Sequence, residues 1–134
     1  MKIVLGTAQF GSAYGIANKT GIVSEKDIKK ILNFAYQSNI NMIDTAMDYG
    51  DSENRLGKNN LNKFNLITKL SSLNLNVENI QNEIKFKVKQ SLDNLKVNKL
   101  YGLLLHRPEQ LLSIKGDQII EAILCLKSSG LISK

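Results

Sequence analysis

Four short apolar runs divide the chain, and each is followed by a segment that forms a helix. The apolar runs are short enough to be strands, and they cover residues 2–5, 40–45, 65–70 and 100–105. The segments expected to be helical cover about 24–38, a short stretch after residue 52, 77–95 and 117–129. Strict alternation of strands with returning helices implies parallel strands joined by right-handed crossovers. The sequence therefore predicts an α/β fold built on a parallel sheet, with a fifth strand expected at 131–134.

Local signals support these boundaries. Ser24 is expected to cap the first long helix, because Asp27 follows it three residues later in a variant of the capping box. Gly130 is a natural residue for closing the last helix, and Pro108 blocks continuation of the fourth strand. Cys125 lies in an apolar helical run and is the chain's only cysteine, so we expect a buried thiol and no disulfide.

Length and charge limit the class of protein. With 134 residues, of which 43% are apolar, the chain is long enough for one domain with a core. The net charge of +6 arises because sixteen lysines and two arginines outnumber twelve acidic residues. Because the lysines are scattered, they predict solvated helix faces and not a nucleic-acid or membrane surface. The first apolar run is too short for a signal peptide or a membrane span, so a cytoplasmic location is expected.

Reactive side chains follow three of the predicted strands. Asp44 ends the second strand, Tyr49 follows five residues later, Lys69 ends the third strand, and His106 follows the fourth. In a barrel they would face one another across one mouth, because parallel strands bring their carboxyl ends to the same edge. A free tyrosine titrates near pH ~10, and a nearby ammonium favours its phenolate. A carboxylate can hold that ammonium, and a histidine can orient a substrate oxygen, so the set suits proton transfer to a carbonyl.

Each of these residues also has an ordinary interpretation. An aspartate at a strand end is more often a turn former, and a lysine there is usually just solvated. The ordinary interpretation must hold four times independently, which favours a functional set. Metal binding is a further alternative with the candidates Asp44, Asp48, Asp51, Glu53 and His106. Their spacing is not that of a compact ligand set, so no metal site is predicted.

Four short motifs, in order along the chain, resemble those of the aldo-keto reductases. They are Gly-Thr-Ala-Gln-Phe-Gly at 6–11, Asp-Thr-Ala with Tyr-Gly and Ser-Glu through Leu-Gly at 44–57, Ile-Thr-Lys at 67–69, and Leu-Leu-His-Arg-Pro at 104–108. Each motif is short, but their order and their places at strand ends make the combination specific. The resemblance covers almost the whole chain and implies a TIM (β/α)8 barrel that binds NADPH.

The resemblance also implies roles for individual residues. Tyr49 would be the general acid that protonates the carbonyl oxygen, with Lys69 and Asp44 tuning it and His106 orienting the substrate. Gly6, Thr7 and Asp44 would lie beside the nicotinamide end of the cofactor. The implied reaction is NADPH-dependent reduction of an aldehyde, ketone or sugar carbonyl to an alcohol.

The chain departs from the family in its length, since an eight-stranded barrel usually needs about 250 residues. Residues 1–134 are therefore expected to be the amino-terminal half of such a barrel, apparently truncated, with most of the cofactor site absent. We expect the chain alone to be inactive and to self-associate through exposed sheet edges. The alternative is a non-enzymatic half-barrel that serves as an interaction or assembly module.

Overall fold

The computed structural model describes residues 3–134 and contains four strands, five α-helices and a 3₁₀ helix. The strands are β1 (Leu5–Gly6), β2 (Met42–Asp44), β3 (Asn65–Leu70) and β4 (Gly102–Leu105). The α-helices are α1 (Ala8–Gly11), α2 (Glu25–Gln37), α3 (Ser52–Leu56), α4 (Ile80–Leu95) and α5 (Gly116–Ser128), and the 3₁₀ helix is Pro108–Leu112. Strands and helices alternate as the sequence predicts.

The four strands form one parallel sheet in the order β1-β2-β3-β4. The register aligns Gly6 with Asp44, Asp44 with Ile67, and Ile67 with Gly102. Residues at one level of a parallel sheet face the same side, and side chains alternate along each strand. Asp44 and Lys69 therefore lie on the same face, which we call the inner face. The predicted parallel β/α fold is confirmed.

The long helices cover the opposite, outer face of the sheet and form the core with it. Ile43 in β2 is 0% exposed and Leu70 in β3 is 1% exposed, because both point towards the helices. The apolar helix residues that complete this core include Ile28, Leu32, Ile84, Val88, Leu92, Ile119 and Leu126. The helices thus hold the sheet from one side and leave its inner face for other contacts.

Side-chain caps fix where two of these helices begin. The Ser24 side chain accepts a hydrogen bond from the Asp27 backbone N–H at 3.1 Å, as the sequence predicts. Asn79 caps α4 in the same way, accepting from the Asn82 backbone N–H at 2.9 Å. Each cap satisfies a backbone donor that the first turn of a helix leaves unpaired.

The inner face of the sheet is only partly covered within residues 3–134. Leu104 in β4 is 49% exposed and Val4, two residues before Gly6, is 42% exposed. The apolar sequence of the fourth strand is typical of a strand covered on both faces. In the described part of the chain only the outer face has that cover.

Four further details differ from the sequence-based expectations or refine them. Cys125 is exposed, so the prediction of a buried thiol is wrong. Residues 8–11 form one helical turn, which is not among the predicted helices. The first strand, predicted from residue 2, is observed at Leu5–Gly6, and residues 1 and 2 lie outside the described part. Residues 131–134 begin a fifth parallel segment, in which Ile132 bridges to Leu100.

Candidate active site

The predicted site residues all lie at the carboxyl edge of the sheet. Asp44 is the last residue of β2, Lys69 is next to last in β3, and His106 directly follows β4. Tyr49 lies in the turn between β2 and α3. This turn is tied to the sheet, because the backbone N–H of Met47 donates to the Lys69 carbonyl oxygen at 3.2 Å. The neighbouring strand thus holds the turn that presents Tyr49.

The Lys69 ammonium group connects the second strand with the Tyr49 turn. Its Nζ donates to Asp44 Oδ2 at 2.7 Å, to the Thr45 carbonyl oxygen at 3.1 Å and to the Tyr49 phenol oxygen at 3.2 Å. These three acceptors match the three protons of an ammonium group. Because Lys69 donates to the phenol oxygen, the phenol's own proton is left to point elsewhere. The Lys69 side chain is 18% exposed, which limits how far water screens these contacts.

His106 lies against the other side of Tyr49. The two rings pack edge to face, with centroids 6.0 Å apart and planes at 90°. The backbone N–H of His106 donates to the Leu70 carbonyl oxygen at 3.0 Å. This hydrogen bond holds the His106 backbone in place beside β3. Nδ1 of His106 lies 3.2 Å from Asp48 Oδ2, which is close enough for an ion pair. The two groups are not aligned as a hydrogen bond, and the buried Nδ1 has no hydrogen-bond partner within residues 3–134.

Gly6 and Thr7 lie beside the same edge, but only Gly6 faces open space. A Cβ atom added at Gly6 would meet nothing within 4 Å. Thr7 is fully buried, and its hydroxyl donates to the Asp44 carbonyl oxygen at 3.0 Å and accepts from the Ser52 hydroxyl. A cleft of about 310 Å³ adjoins both residues and also has Asp44 and Tyr49 in its lining. The Thr7 side chain therefore braces the β2 end, while Gly6 leaves room for a flat ligand to approach.

The sequence profile of the aldo/keto reductase family matches residues 2–134. The chain belongs to this family. The family predicted from the four motifs is therefore confirmed. Comparison with curated proteins gives no match.

Solved aldo-keto reductase structures have the same fold over nearly all of this chain. A protein from Pseudomonas aeruginosa assigned to the aldo-keto reductases superposes with a TM-score of 0.79 at 25% identity, over 98% of this chain and 52% of its own. A thermostable aldo-keto reductase, Tm1743, solved in complex with the inhibitor epalrestat, gives 0.70 at 19%, covering 97% and 46%. The Bombyx mori aldo-keto reductase solved with NADP gives 0.69 at 18%, covering 98% and 44%.

This chain spans about half the length of those solved structures. Its four parallel strands correspond to the first part of an aldo-keto reductase TIM barrel, as the sequence predicts. Within residues 3–134, no helix has both the length and the apolar character needed to cross a lipid bilayer.

Two charged residues of α3 hold the surrounding elements together. This role was not predicted from the sequence for either of them. The guanidinium of Arg55 donates to the backbone carbonyl oxygens of Phe10 and Val23 and to the Glu25 carboxylate. It thereby ties the long segment after β1 to α3. The Arg55 hydrogen bond is the main reason that the pKa of Glu25 is lowered, and Lys58 lowers it further.

Glu53 is the second brace, and it holds three elements together. Its Oε1 accepts hydrogen bonds from the Thr68 hydroxyl at 2.7 Å and from the Ser91 hydroxyl at 2.6 Å. Glu53 is 4% exposed, and its carboxylate joins α3 to β3 and α4. Charged residues beside apolar ones in a short helix are the only sequence signal for such a role. That signal does not say which partners they meet.

Proposed function

We propose that this chain provides the catalytic residues of an NADPH-dependent aldo-keto reductase that reduces a carbonyl group to an alcohol. The observation that carries the proposal is the Lys69 ammonium, which bridges the Asp44 carboxylate and the Tyr49 phenol at the mouth of the sheet. The substrate class is an aldehyde, a ketone or a sugar carbonyl.

In this proposal Tyr49 is the proton donor. NADPH, when bound, supplies the hydride that reduces the carbonyl carbon. The Tyr49 hydroxyl then gives its proton to the carbonyl oxygen, and the phenolate that remains keeps its hydrogen bond from Lys69. Asp44 balances the charge of Lys69, and the His106 ring beside the phenol orients the carbonyl oxygen. These contacts support the proposed roles, since Lys69 bonds to both Asp44 and Tyr49 and the His106 ring packs on Tyr49.

The residues of this chain fit one end of the cofactor. Gly6 has open space where a side chain would stand, and the adjoining cleft is lined by Asp44 and Tyr49. A planar nicotinamide could approach the proton donor there without meeting a side chain at Gly6. The choice of NADPH is supported by the family and by the NADP complex of the Bombyx mori relative.

We also propose that the 134-residue chain by itself has no appreciable reductase activity. Hydride transfer needs the reacting atoms held about 3–3.5 Å apart, and loss of positioning is costly. The chain spans about half the length of its solved relatives, and we expect most of the cofactor site to lie outside it. The contacts that remain must offset the loss of translational and rotational freedom on binding.

Two measurements test the proposal. The purified chain is titrated with NADPH while the cofactor's fluorescence is followed, and we expect no micromolar binding and no aldehyde reduction. The chain is also joined to the carboxy-terminal half of the Pseudomonas aeruginosa relative, and we expect this chimera to oxidise NADPH when an aldehyde is present. A folded chimera that binds NADPH but reduces no aldehyde, ketone or sugar contradicts the assigned reaction. Micromolar binding and turnover by the chain alone contradict its inactivity.

The second candidate is a non-enzymatic half-barrel that acts as an assembly module. It is favoured by the exposed apolar side chains on the inner face, Val4 and Leu104. A folded chimera without reductase activity, together with a 134-residue chain whose inner face binds a partner, would support it. The cytoplasmic location and the absence of nucleic-acid partners stay predictions.

A further inference from the structure

The environment of His106 is unusual because a carboxylate stands beside its buried ring nitrogen. Nδ1 lies 3.2 Å from Oδ2 of Asp48, and the Asp48 side chain is 47% exposed. The backbone hydrogen bond from His106 to Leu70 holds the ring's attachment point in place. Asp48 is in the turn that also carries Tyr49, so it belongs to the site's own framework.

The other charged and titratable groups around the ring have different partners. Tyr49 meets the ring edge to face, and its phenol oxygen accepts from Lys69. Lys69 in turn holds Asp44. On the segment after β4, Arg107 pairs with Glu109 at 3.9 Å, and both side chains are well exposed. Within residues 3–134, Asp48 is the carboxylate paired with the imidazole.

The proton of a neutral imidazole sits on either ring nitrogen, and the neighbours of each nitrogen decide which one holds it. If Nδ1 carried a lone pair, the negative charge of the Asp48 carboxylate 3.2 Å away would repel it. If Nδ1 carries the proton, the two groups attract, and a small rotation of either side chain makes a charge-assisted hydrogen bond.

We propose that Asp48 is a positioning residue that keeps a proton on Nδ1 of His106. The neutral ring then presents Nε2 to the mouth of the sheet as an acceptor. Nε2 becomes a donor only when the ring is doubly protonated.

This has a consequence for the reaction, which rests on the proposed function. A carbonyl oxygen can only accept a hydrogen bond, so His106 orients it only as the doubly protonated ring. The hydroxyl of an alcohol can donate, so the neutral ring can still orient the product.

The test uses the fact that His106 is the only histidine in the chain. Two-bond ¹H–¹⁵N NMR spectra of the ¹⁵N-labelled 134-residue chain distinguish a protonated ring nitrogen from an unprotonated one. They are recorded at alkaline pH, well above the ~6.5 at which a free imidazole titrates, and need neither cofactor nor substrate. We expect the proton on Nδ1. A proton mainly on Nε2, the nitrogen favoured by a free imidazole in water, would overturn the proposal.

Variants identify Asp48 as the cause. In Asp48→Ala we expect the proton to move to Nε2, and in Asp48→Glu to return to Nδ1. Asp51→Ala is the matched control. It removes another carboxylate near the end of the same turn, and that carboxylate accepts a hydrogen bond from the Asn54 side chain. An Nδ1 proton retained in Asp48→Ala would also overturn the proposal. If that variant loses its native amide spectrum, Asp48→Ser replaces it with the same expected result. Because this readout is independent of activity, it stands or fails separately from the reductase assignment.

Discussion

Lys69 Nζ lies 2.7 Å from Asp44 Oδ2, and this ion pair joins two neighbouring strands at their carboxyl ends. The sheet register explains it, because Asp44 aligns with Ile67 and Lys69 is two residues further on the same face. With 18% and 30% of the two side chains exposed, the pair is partly shielded from water. The fixed ammonium then meets Tyr49 on its other side, so the fold itself sets the geometry of the proposed proton donor.

Removing the Tyr49 hydroxyl should abolish carbonyl reduction in the chimera. Tyr49→Phe keeps the ring that packs on His106 and removes only the proton donor. General acid catalysis contributes about 10²–10⁴-fold, and we expect a loss of kcat in that range. NADPH affinity should stay nearly unchanged, because the phenol is assigned to the substrate oxygen. Steady-state kinetics and a cofactor titration measure the two effects separately.

Tyr14→Phe is the matched control for this substitution. Tyr14 is another tyrosine in the lining of the cleft beside Gly6, and its side chain is 64% exposed. It has no assigned role in proton transfer, so its loss of a hydroxyl should leave kcat within a few-fold. Wild-type turnover in Tyr49→Phe would show that the tyrosine assignment is wrong.

Lys69→Met should cost the chimera a similar factor in kcat. Methionine has nearly the same length but cannot donate to the phenol oxygen, so the phenolate formed after proton transfer loses its stabilising charge. Lys58→Met serves as control, since Lys58 is also ion-paired, to Glu25 at 3.0 Å, but lies away from the site. Equal activity of the two variants would remove Lys69 from the mechanism.

The sequence located each strand and each long helix, but most of their ends differ by one to three residues from those observed. The predicted third strand and the observed β3 share the same bounds, because polar residues precede the apolar run and burial alternates along it. Helix α4 was expected to begin at residue 77 but begins at Ile80. Val77 packs against the core from the turn before the Asn79 cap. Apolar spacing thus records what is buried, and not whether the backbone is helical there.

Contacts made across turns could not be read from the sequence. The four site residues lie together because parallel strands share one edge, which is a rule of the fold. The pairing of Asp48 with His106 depends on the shape of one turn, and no periodicity encodes it. The burial of Cys125 was predicted wrongly because an apolar run does not show which of its residues face the core. The buried face of α5 includes Ala122 and Leu126, and Cys125 lies beside that face.

Gly11→Ala should destabilise the fold and displace the Tyr49 turn. A Cβ atom at Gly11 would lie 1.7 Å from the Tyr49 carbonyl oxygen and 2.4 Å from the Ser52 backbone nitrogen, so one of the two segments must move. Overpacking of this kind costs about 1–3 kcal/mol, and urea unfolding of the chain measures it. Gly6→Ala is the control for folding, because its Cβ would meet open space. Equal stability of both variants would mean that the close approach at Gly11 relaxes without cost.

Acid should weaken the fold partly through Glu25. Arg55 chiefly, with Lys58, lowers the pKa of Glu25 below its usual value of 4.5. A carboxyl whose pKa is lower when folded stabilises the protein above its unfolded pKa. That contribution is lost as the pH falls through the lower, folded value. Glu25→Gln should therefore reduce stability at neutral pH and flatten its fall below about pH 4.5. Urea unfolding across this range, with Glu121→Gln as surface control, tests it. A curve parallel to that of the unsubstituted chain would contradict the role.

The 134-residue chain should self-associate through its inner face and its sheet edges. Strand edges offer unpaired backbone groups, and an apolar face gains by leaving water. Leu104 lies on the inner face and is 49% exposed. It aligns with Lys69 of β3 in the sheet register. Sedimentation at micromolar concentration should show dimers or larger species, and Leu104→Asn should shift them towards monomer. Leu112→Asn is the control, because Leu112 is 90% exposed but lies in the 3₁₀ helix outside the sheet. A stable, folded monomer of the unsubstituted chain would refute the association. An equal effect of both substitutions would show that general hydrophobicity drives it, and not the inner face.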